Sequence, residues 1–166
     1  KSVSIPVIAS INCFLQSVEW ISYAQKLEAA GADALELNIF FPPTDFKKTR
    51  MDRKSIYFRV TEEVTQKLSI PTALKISYYF SNLGPMIQKL SNTVISGLVL
   101  FNRFFSPDFD IDKLEFKSAN IFSVPSDLSI SLRWIAIMAE RVNCDLAAST
   151  GVHDGVALIK QLLAGA

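Results

Sequence analysis

Cysteine and histidine are scarce in this sequence, and their scarcity limits the chemistry that the chain can support. The 166 residues include two cysteines, Cys13 and Cys144, which lie far apart without a CxxC spacing. We therefore expect reduced thiols rather than a disulfide framework. His153 is the only histidine. Neither a second histidine nor clustered carboxylates accompany it, so we expect no metal centre and interpret His153 as a surface or helix-start residue.

Long apolar runs and an excess of charge of one sign are also missing. No stretch approaches the ~20 apolar residues that span a bilayer, and the first residues lack the apolar segment of a signal peptide. The net charge is +1, which leaves no basic stripe for nucleic acid. The densest basic cluster, at residues 47–53, is accompanied by Asp45 and Asp52 and is expected to be a solvated loop. We expect a soluble, cytoplasmic protein that binds a small molecule, and neither nucleic acid nor a membrane.

Short apolar runs alternate with amphipathic helical patterns, which is typical of βα units and a parallel sheet. The pattern predicts a single α/β domain over residues 1–166 with five such units. The strands are predicted at 7–11, 34–39, 72–76, 97–101 and 145–149, and the helices at 15–30, 55–68, 83–90, 129–142 and 153–164. Residues 103–126 are predicted to be irregular. Composition does not separate part of a closed (β/α)8 TIM barrel from an open, doubly wound sheet of flavodoxin size.

Two of the predicted strands carry charged residues on one face. Glu36 and Asn38 share a side of the second strand, and Lys75 lies on the polar side of the third, with Ser77 on the same side. A parallel strand covered on both faces should be apolar throughout. One interpretation is an ion pair between Lys75 and Glu36 inside a barrel. The other is that Lys75 faces an anionic ligand at the carboxyl ends of the strands.

Further polar residues follow the predicted strands. Asn38 and Asn102 each stand at a strand end, where an amide could read a planar ring with mixed hydrogen-bonding edges or could simply cap a loop. Ser149, Thr150 and Gly151 form a strand-to-helix turn that suits a phosphate, although a hydroxyl there is also a common helix cap. The sequence contains no GxSxG, P-loop or GxGxxG motif.

Six short segments in this order and spacing resemble the dihydroorotate dehydrogenase family, and most closely its bacterial dihydroorotate dehydrogenase-like branch. They cover nearly the whole chain. The segments are 5–12 (IPVIASIN), 31–38 (GADALELN), 74–77 (LKIS), 99–103 (VLFNR), 132–134 (LRW) and 149–155 (STGVHDG).

The resemblance implies an FMN-containing (β/α)8 TIM barrel that oxidises dihydroorotate to orotate in pyrimidine biosynthesis. This chain would then cover barrel strands 3 to 7. Missing strands would leave two open sheet edges, so we expect the chain to exist within a longer protein or to pair with a second copy as a homo-oligomer. Each contact that the resemblance implies is assigned to the residue of this chain that matches the family's motif. Lys75 would lie beside the flavin ring, Asn38 and Asn102 would face flavin and substrate, Asn12 would approach the ring, and Ser149, Thr150 and Gly151 would hold half of the phosphate site.

Two residues depart from the family pattern. Phe41 stands where the family has its catalytic Cys or Ser, and Pro43 stands where it has a substrate-binding Asn. Phe41 cannot take a proton, so any base must come from elsewhere, with Thr44, Asp45 and Ser106 as loop candidates. The alternatives are a catalytically silent flavin-binding or scaffolding relative, and a barrel of unrelated chemistry such as a phosphosugar enzyme.

Overall fold

Five parallel strands form one sheet whose spatial order follows the chain. The computed structural model describes residues 3–12, 17–40, 50–104, 106–119 and 121–166, without the side chains of residues 17 and 50–53. The strands are β1 (Ile8–Ile11), β2 (Ala34–Asn38), β3 (Thr72–Ile76), β4 (Gly97–Leu100) and β7 (Asp145–Ala148), and they pair in the order β1-β2-β3-β4-β7. A flavodoxin-type sheet has the order 2-1-3-4-5. The sequential order is that of a barrel, so the chain is a partial TIM barrel and the open-sheet alternative is wrong.

Helices connect successive strands and cover one face of the sheet. They are α1 (Ser17–Ala29), α2 (Arg50–Thr65), α3 (Leu83–Ser91), α4 (Leu128–Met138) and α5 (Gly155–Ala164). The predicted apolar face of β2, Leu35, Leu37 and Ile39, is buried beneath them. It joins one continuous core with apolar side chains of β3, β4 and the helices. The alternation read from the sequence is therefore confirmed for β2, and it leaves the polar side chains on the inner, concave face.

The apolar pattern of the first helix predicts that Val18, Ile21, Ala24 and Leu27 face the sheet, and the structure differs from this prediction in part. Ala24 is fully buried and Ile21 and Leu27 are partly buried, as predicted, but Val18 is 74% exposed. Trp20 is 2% exposed and occupies the core instead. Trp20, Ala24 and Leu27 are spaced by four and three residues, so they form one stripe that points at the sheet. The indole has more apolar surface to bury than Val18, and its position sets the rotation of the helix.

The segment after β4 was predicted to be irregular, and this prediction was wrong in part. It contains an antiparallel hairpin of β5 (Pro107–Asp110) and β6 (Glu115–Ser118), followed by a 3-10 turn at Pro125–Asp127. Asp110 Oδ1 accepts the backbone N–H groups of Asp112 and Lys113, which closes the turn of the hairpin. Pro107 is the first residue of β5, and Asp110 and Asp112 lie at the turn. Proline is tolerated at the start of an edge strand, and aspartate is common in turns, so both residue types are compatible with a hairpin here.

Several element ends also move. The second helix begins at Arg50 rather than residue 55, α4 ends at Met138 rather than residue 142, and α5 begins at Gly155 rather than residue 153. Asp154 explains the last shift, because its carboxylate accepts the N–H of Ala157 and caps the helix. The first helix ends at Ala29, one residue before the predicted end. Gly31 follows it with a φ of +91°, a conformation that favours glycine after a helix.

Candidate functional site

Asn38 and Asn102 meet at the carboxyl edge of the sheet. Asn38 is the last residue of β2, and Asn102 follows β4, its N–H bonding to the Ile76 carbonyl at 2.9 Å. Asn102 Nδ2 donates to Asn38 Oδ1 at 2.9 Å and to the Ile39 carbonyl at 3.4 Å. The sequence placed both residues at strand ends, and the parallel register brings them together. Their predicted roles as flavin and substrate contacts stay predictions.

Lys75 lies on the inner face of β3, opposite Asn38 in the strand register. Its Nζ is 3.6 Å from Glu36 Oε1, and the two side chains are 20% and 14% exposed. Ser10 Oγ on β1 donates to the same Glu36 oxygen at 2.6 Å. The ion-pair interpretation is thus the arrangement observed. Sequence reasoning gave Ser10 no role, although its register position beside Glu36 follows once β1 and β2 are paired.

Ser77 does not share the inner face with Lys75, contrary to the predicted alternation. It is buried, and its hydroxyl bonds to the Tyr57 side chain on α2. Strand β3 ends at Ile76, so the two-residue period no longer applies one residue later. The Tyr57 hydroxyl also donates to the Ile39 carbonyl at 3.4 Å. Burial raises the pKa of Tyr57 far above its usual value, so this phenol stays protonated and holds α2 to the strand ends.

The inner face of the sheet borders a cavity of about 480 Å³. Lys75, Glu36 and Ser10 lie beside small residues such as Ala73 and Gly97. In a closed barrel, the interior is filled by layers of side chains from all the strands. In a complete barrel this volume would lie in the packed centre, and the ion pair would form part of one such layer.

The predicted phosphate turn has a packing role of its own. Thr150 and Gly151 have φ values of +74° and +75°, and Gly151 is buried. A Cβ at Gly151 would lie 2.6 Å from Leu128 Cα and would overlap the Leu128 backbone nitrogen. Ser149 N donates to the Leu100 carbonyl at 2.8 Å. The glycine thus lets the turn touch the start of α4, and the predicted phosphate role of these three residues stays a prediction.

The start of α5 is less open to a phosphate than the sequence suggested. The Asp154 carboxylate already accepts the Ala157 N–H at 2.7 Å. A carboxylate at this position supplies the negative charge that a helix N-terminus attracts, and it repels a second anion. Any phosphate near the turn would therefore depend on backbone groups upstream of α5.

The remaining predicted residues are placed more simply. Asn12 is exposed directly after β1, at the same edge as Asn38. His153 is exposed just before α5, as expected, and its Nε2 is 3.1 Å from Ser123 Oγ. Ser106, a base candidate, is exposed before β5. The other base-related positions, namely 41, 43, 44 and 45, lie outside the described residues.

An aromatic cluster beside the asparagine pair was not predicted as part of a site. Tyr78 and Tyr79 follow β3, while Phe101 and Phe104 follow β4. The ring centroids of Tyr79 and Phe104 are 4.4 Å apart, and those of Tyr78 and Phe101 are 5.8 Å apart. The four rings line a separate cavity of about 240 Å³ that Asn102 also borders. The run of aromatics immediately after two strands was the available signal, because such residues meet at one edge of a parallel sheet.

Two further findings, both for the described ranges, concern metal binding and membrane spanning. No group of three or more histidine, cysteine, aspartate or glutamate side chains there is arranged to hold a metal ion. No helix in the same part of the chain has the length and apolar character required to cross a membrane.

Comparison with known proteins identifies the fold. No protein-family model matches the sequence. A mandelate oxidase variant with a monooxide FMN adduct matches with a TM-score of 0.59 and 12% identity, over 98% of this chain and 47% of that one. A mandelate oxidase variant with benzaldehyde gives 0.55 and 11%, over 95% and 46%. A putative phosphonomutase from Burkholderia cenocepacia J2315 gives 0.54 and 16%, over 97% and 66%. The chain thus spans about half the length of the mandelate oxidases, and at these identities the similarity is one of fold.

Proposed function

We propose that this chain is part of an FMN-dependent oxidoreductase. The observation that carries the proposal is the hydrogen bond between Asn38 and Asn102 at the carboxyl edge of a partial TIM barrel, with Lys75 opposite Asn38 in the strand register. Such barrels bind their ligands at this edge. The FMN named for one of the similar mandelate oxidase structures supports the choice of cofactor. The family resemblance of the sequence motifs points independently to the same cofactor.

The residues present fit the ring of FMN better than its phosphate. A flavin ring offers both donors and acceptors, and a carboxamide such as that of Asn38 also offers both. Asn38, Asn102 and Asn12 would bind the ring edges, and Lys75 would supply a positive charge. The 149–151 turn would hold the phosphate only in part, since Asp154 occupies the start of α5.

FMN, when bound, supplies a two-electron acceptor. Lys75 would favour negative charge on the reduced ring, and Glu36 would restrain Lys75 while offsetting part of that charge. Asn38 and Asn102 would orient a planar substrate through their amides. The finer proposal is oxidation of dihydroorotate or a related compound that has a carbonyl group.

The replacement of the family base by Phe41 bears on the rate of such a reaction. General base catalysis contributes a factor of ~10² to 10⁴. Ser106 is the candidate base that the structure describes, and it is an exposed hydroxyl whose own carbonyl accepts the Ala119 N–H. No described contact supplies Ser106 with a proton acceptor. Slow turnover, or a catalytically silent flavin-binding relative, is the second candidate that this replacement favours.

Titration with FMN, followed by visible absorption and flavin fluorescence, tests the proposal. We expect FMN to bind, and Lys75→Met to weaken binding or lower the flavin reduction potential. Lys89→Met, an exposed lysine on α3, is the matched control and should change neither. Anaerobic addition of dihydroorotate should bleach the flavin if the enzyme interpretation holds, whereas persistent bands support the silent relative. Absence of FMN binding in the unaltered protein would overturn both.

A further inference from the structure

The 240 Å³ cavity at the ends of β3, β4 and β7 has the walls of a site for a flat ring. Tyr78, Tyr79, Phe101 and Phe104 present aromatic surface, and Ile130 of α4 contributes an aliphatic side chain. The Tyr78 and Phe104 rings are 5.6 Å apart at 81°, and the Tyr79 and Phe104 rings meet edge to face at 71°. Such arrangements offer both faces and edges to another ring. The volume lies below the usual range for drug-sized ligands, which favours a single ring with one substituent.

The charges that border this cavity cancel. Arg103 and Asp127 are the cation and the anion in its described lining, and Arg103 Nε is 3.4 Å from Asp127 Oδ2. Arg103 Nη1 also donates to the Ile121 carbonyl at 2.9 Å. Asp127 Oδ2 accepts the Val124 N–H at 3.0 Å. The guanidinium is therefore already engaged, and a carboxylate entering the cavity would find no free cation.

The Tyr78 hydroxyl adds no charge. Burial, together with the hydrogen bond to Tyr79, raises the pKa of Tyr78 to about 12. The phenol stays protonated at neutral pH and provides a polar but uncharged group. An uncharged ligand therefore loses little solvation energy on entering this cavity. An anion would lose its hydration without gaining an unpaired cation as a partner.

One polar atom beside the rings lacks a partner. Asn102 is 5% exposed and borders the cavity. Its Nδ2 is used by Asn38 and Ile39, but its Oδ1 has no hydrogen-bond partner among the described residues. A buried acceptor without a hydrogen-bond partner is energetically unfavourable. A ligand N–H or O–H group would remove that cost.

We propose that the aromatic cavity binds an uncharged compound with one aromatic ring and an N–H or O–H donor that reaches Asn102 Oδ1. The inference deepens the proposed function and rests on it for the role of this ligand as substrate, since the cavity shares Asn102 with the flavin site proposed above. Of the substrates named under the proposed function, it favours a related uncharged carbonyl compound over dihydroorotate, which is a carboxylate without an aromatic ring. Binding itself depends only on the cavity.

Three compounds of nearly equal shape, each with one aromatic ring, separate the contributions of charge and of a hydrogen-bond donor. Benzamide has the ring and an N–H donor, benzoate has the same outline with a negative charge, and acetophenone is uncharged without a donor. Isothermal titration calorimetry of the unaltered protein, with and without FMN, measures each affinity. We expect benzamide to bind at least about tenfold more tightly than the other two, as one hydrogen bond to a buried acceptor allows. Equal affinities, or a preference for benzoate, would overturn the inference.

Variants locate the site. Asn102→Leu should reduce the affinity for benzamide to that for acetophenone, and Phe104→Ala should weaken both. Phe109→Ala is the matched control, because Phe109 is 64% exposed on the hairpin and does not line the cavity. It should leave every affinity unchanged. Circular dichroism identifies any variant that fails to fold, and the comparison of compounds on the unaltered protein decides the question in that case.

Separate signals keep this inference apart from the proposed function. Flavin absorbance reports FMN binding, and the heat of benzamide binding reports the cavity. Benzamide binding without FMN binding would support the cavity and overturn the flavoprotein. FMN binding without selective benzamide binding would overturn the inference alone, and the absence of both would overturn the two together.

Discussion

Gly151 shows how a single residue serves the fold at a position that the sequence suggested for a ligand. Its φ of +75° and its closeness to Leu128 both require the absence of a side chain. We predict that Gly151→Ala lowers the free energy of unfolding by at least about 2 kcal/mol, through left-handed backbone strain and overpacking. Urea denaturation measures the loss. Gly155→Ala is the control, because a Cβ at Gly155 meets nothing within 4 Å and alanine favours a helix. Equal stability of the two variants would contradict this account.

Residue-level prediction from the sequence succeeded where one local rule acted alone. Strand alternation placed Leu35 and Leu37 in the core and Glu36 and Lys75 on the inner face. It failed at Ser77, which lies one residue beyond the strand that imposes the rule. The unpartnered Asn102 oxygen was beyond reach, because hydrogen-bond satisfaction depends on neighbours brought together from three separate segments.

Among the elements, the junction between α1 and the segment before β3 depends on one carboxylate. Glu28, near the end of α1, accepts hydrogen bonds from the Ser69 hydroxyl at 2.6 Å, the Ser69 N–H at 2.7 Å and the Ile70 N–H at 3.2 Å. These bonds, that of the Ser69 hydroxyl first, lower the pKa of Glu28 below its usual value of 4.5. The ionised form is therefore favoured in the folded protein.

A pH dependence follows from that shift. Because the pKa is lower in the folded state, the stabilisation is fully present above the ordinary carboxyl pKa and is lost as the pH falls through the lowered value. We predict that Glu28→Gln destabilises the protein at neutral pH and that the difference from the unaltered protein shrinks as the pH falls below the ordinary carboxyl pKa. Chemical denaturation across this range measures it. Glu140→Gln, an exposed carboxylate after α4, should show no comparable dependence, and a pH-independent Glu28→Gln effect would contradict the explanation.

At this scale the sequence predicted the five βα units but missed the β5–β6 hairpin. The βα units have strong periodic patterns of apolar residues, whereas both strands of the hairpin are largely exposed and carry charged residues. Phe109 and Phe116 form a ring pair with centroids 5.7 Å apart, but each is more than half exposed. This hairpin is held by the hydrogen bonds between its two strands and by its turn. It buries no row of apolar residues, so the sequence shows no hydrophobic periodicity there.

For the whole molecule, the apolar surface that remains uncovered has a consequence for association. Strands β1 and β7 pair on one side only within the described sheet. Ile159 and Leu163 of α5 are 56% and 84% exposed, beside other exposed apolar side chains of the same helix. Open strand edges and apolar helix faces favour contact with another chain.

We predict that the purified protein associates with itself in a concentration-dependent manner. Light scattering should give a mass above that of one chain, and Ile159→Lys combined with Leu163→Lys should shift it toward the monomer. Ile111→Lys is the control, because Ile111 is 81% exposed at the turn of the hairpin, away from both edges and from α5. A monomer at every concentration, with cooperative unfolding, would contradict this prediction.

The sequential strand order also determines when each part of the sheet can form during synthesis. Every strand pairs with the strand of the preceding βα unit, so a chain emerging from the ribosome can add each new strand to an edge that already exists. The hairpin interrupts this order between β4 and β7, but it pairs within itself and leaves the β4 edge available. Growth of the sheet can therefore proceed in one direction, with each new strand added to the newest edge while the outer edge of β1 stays open.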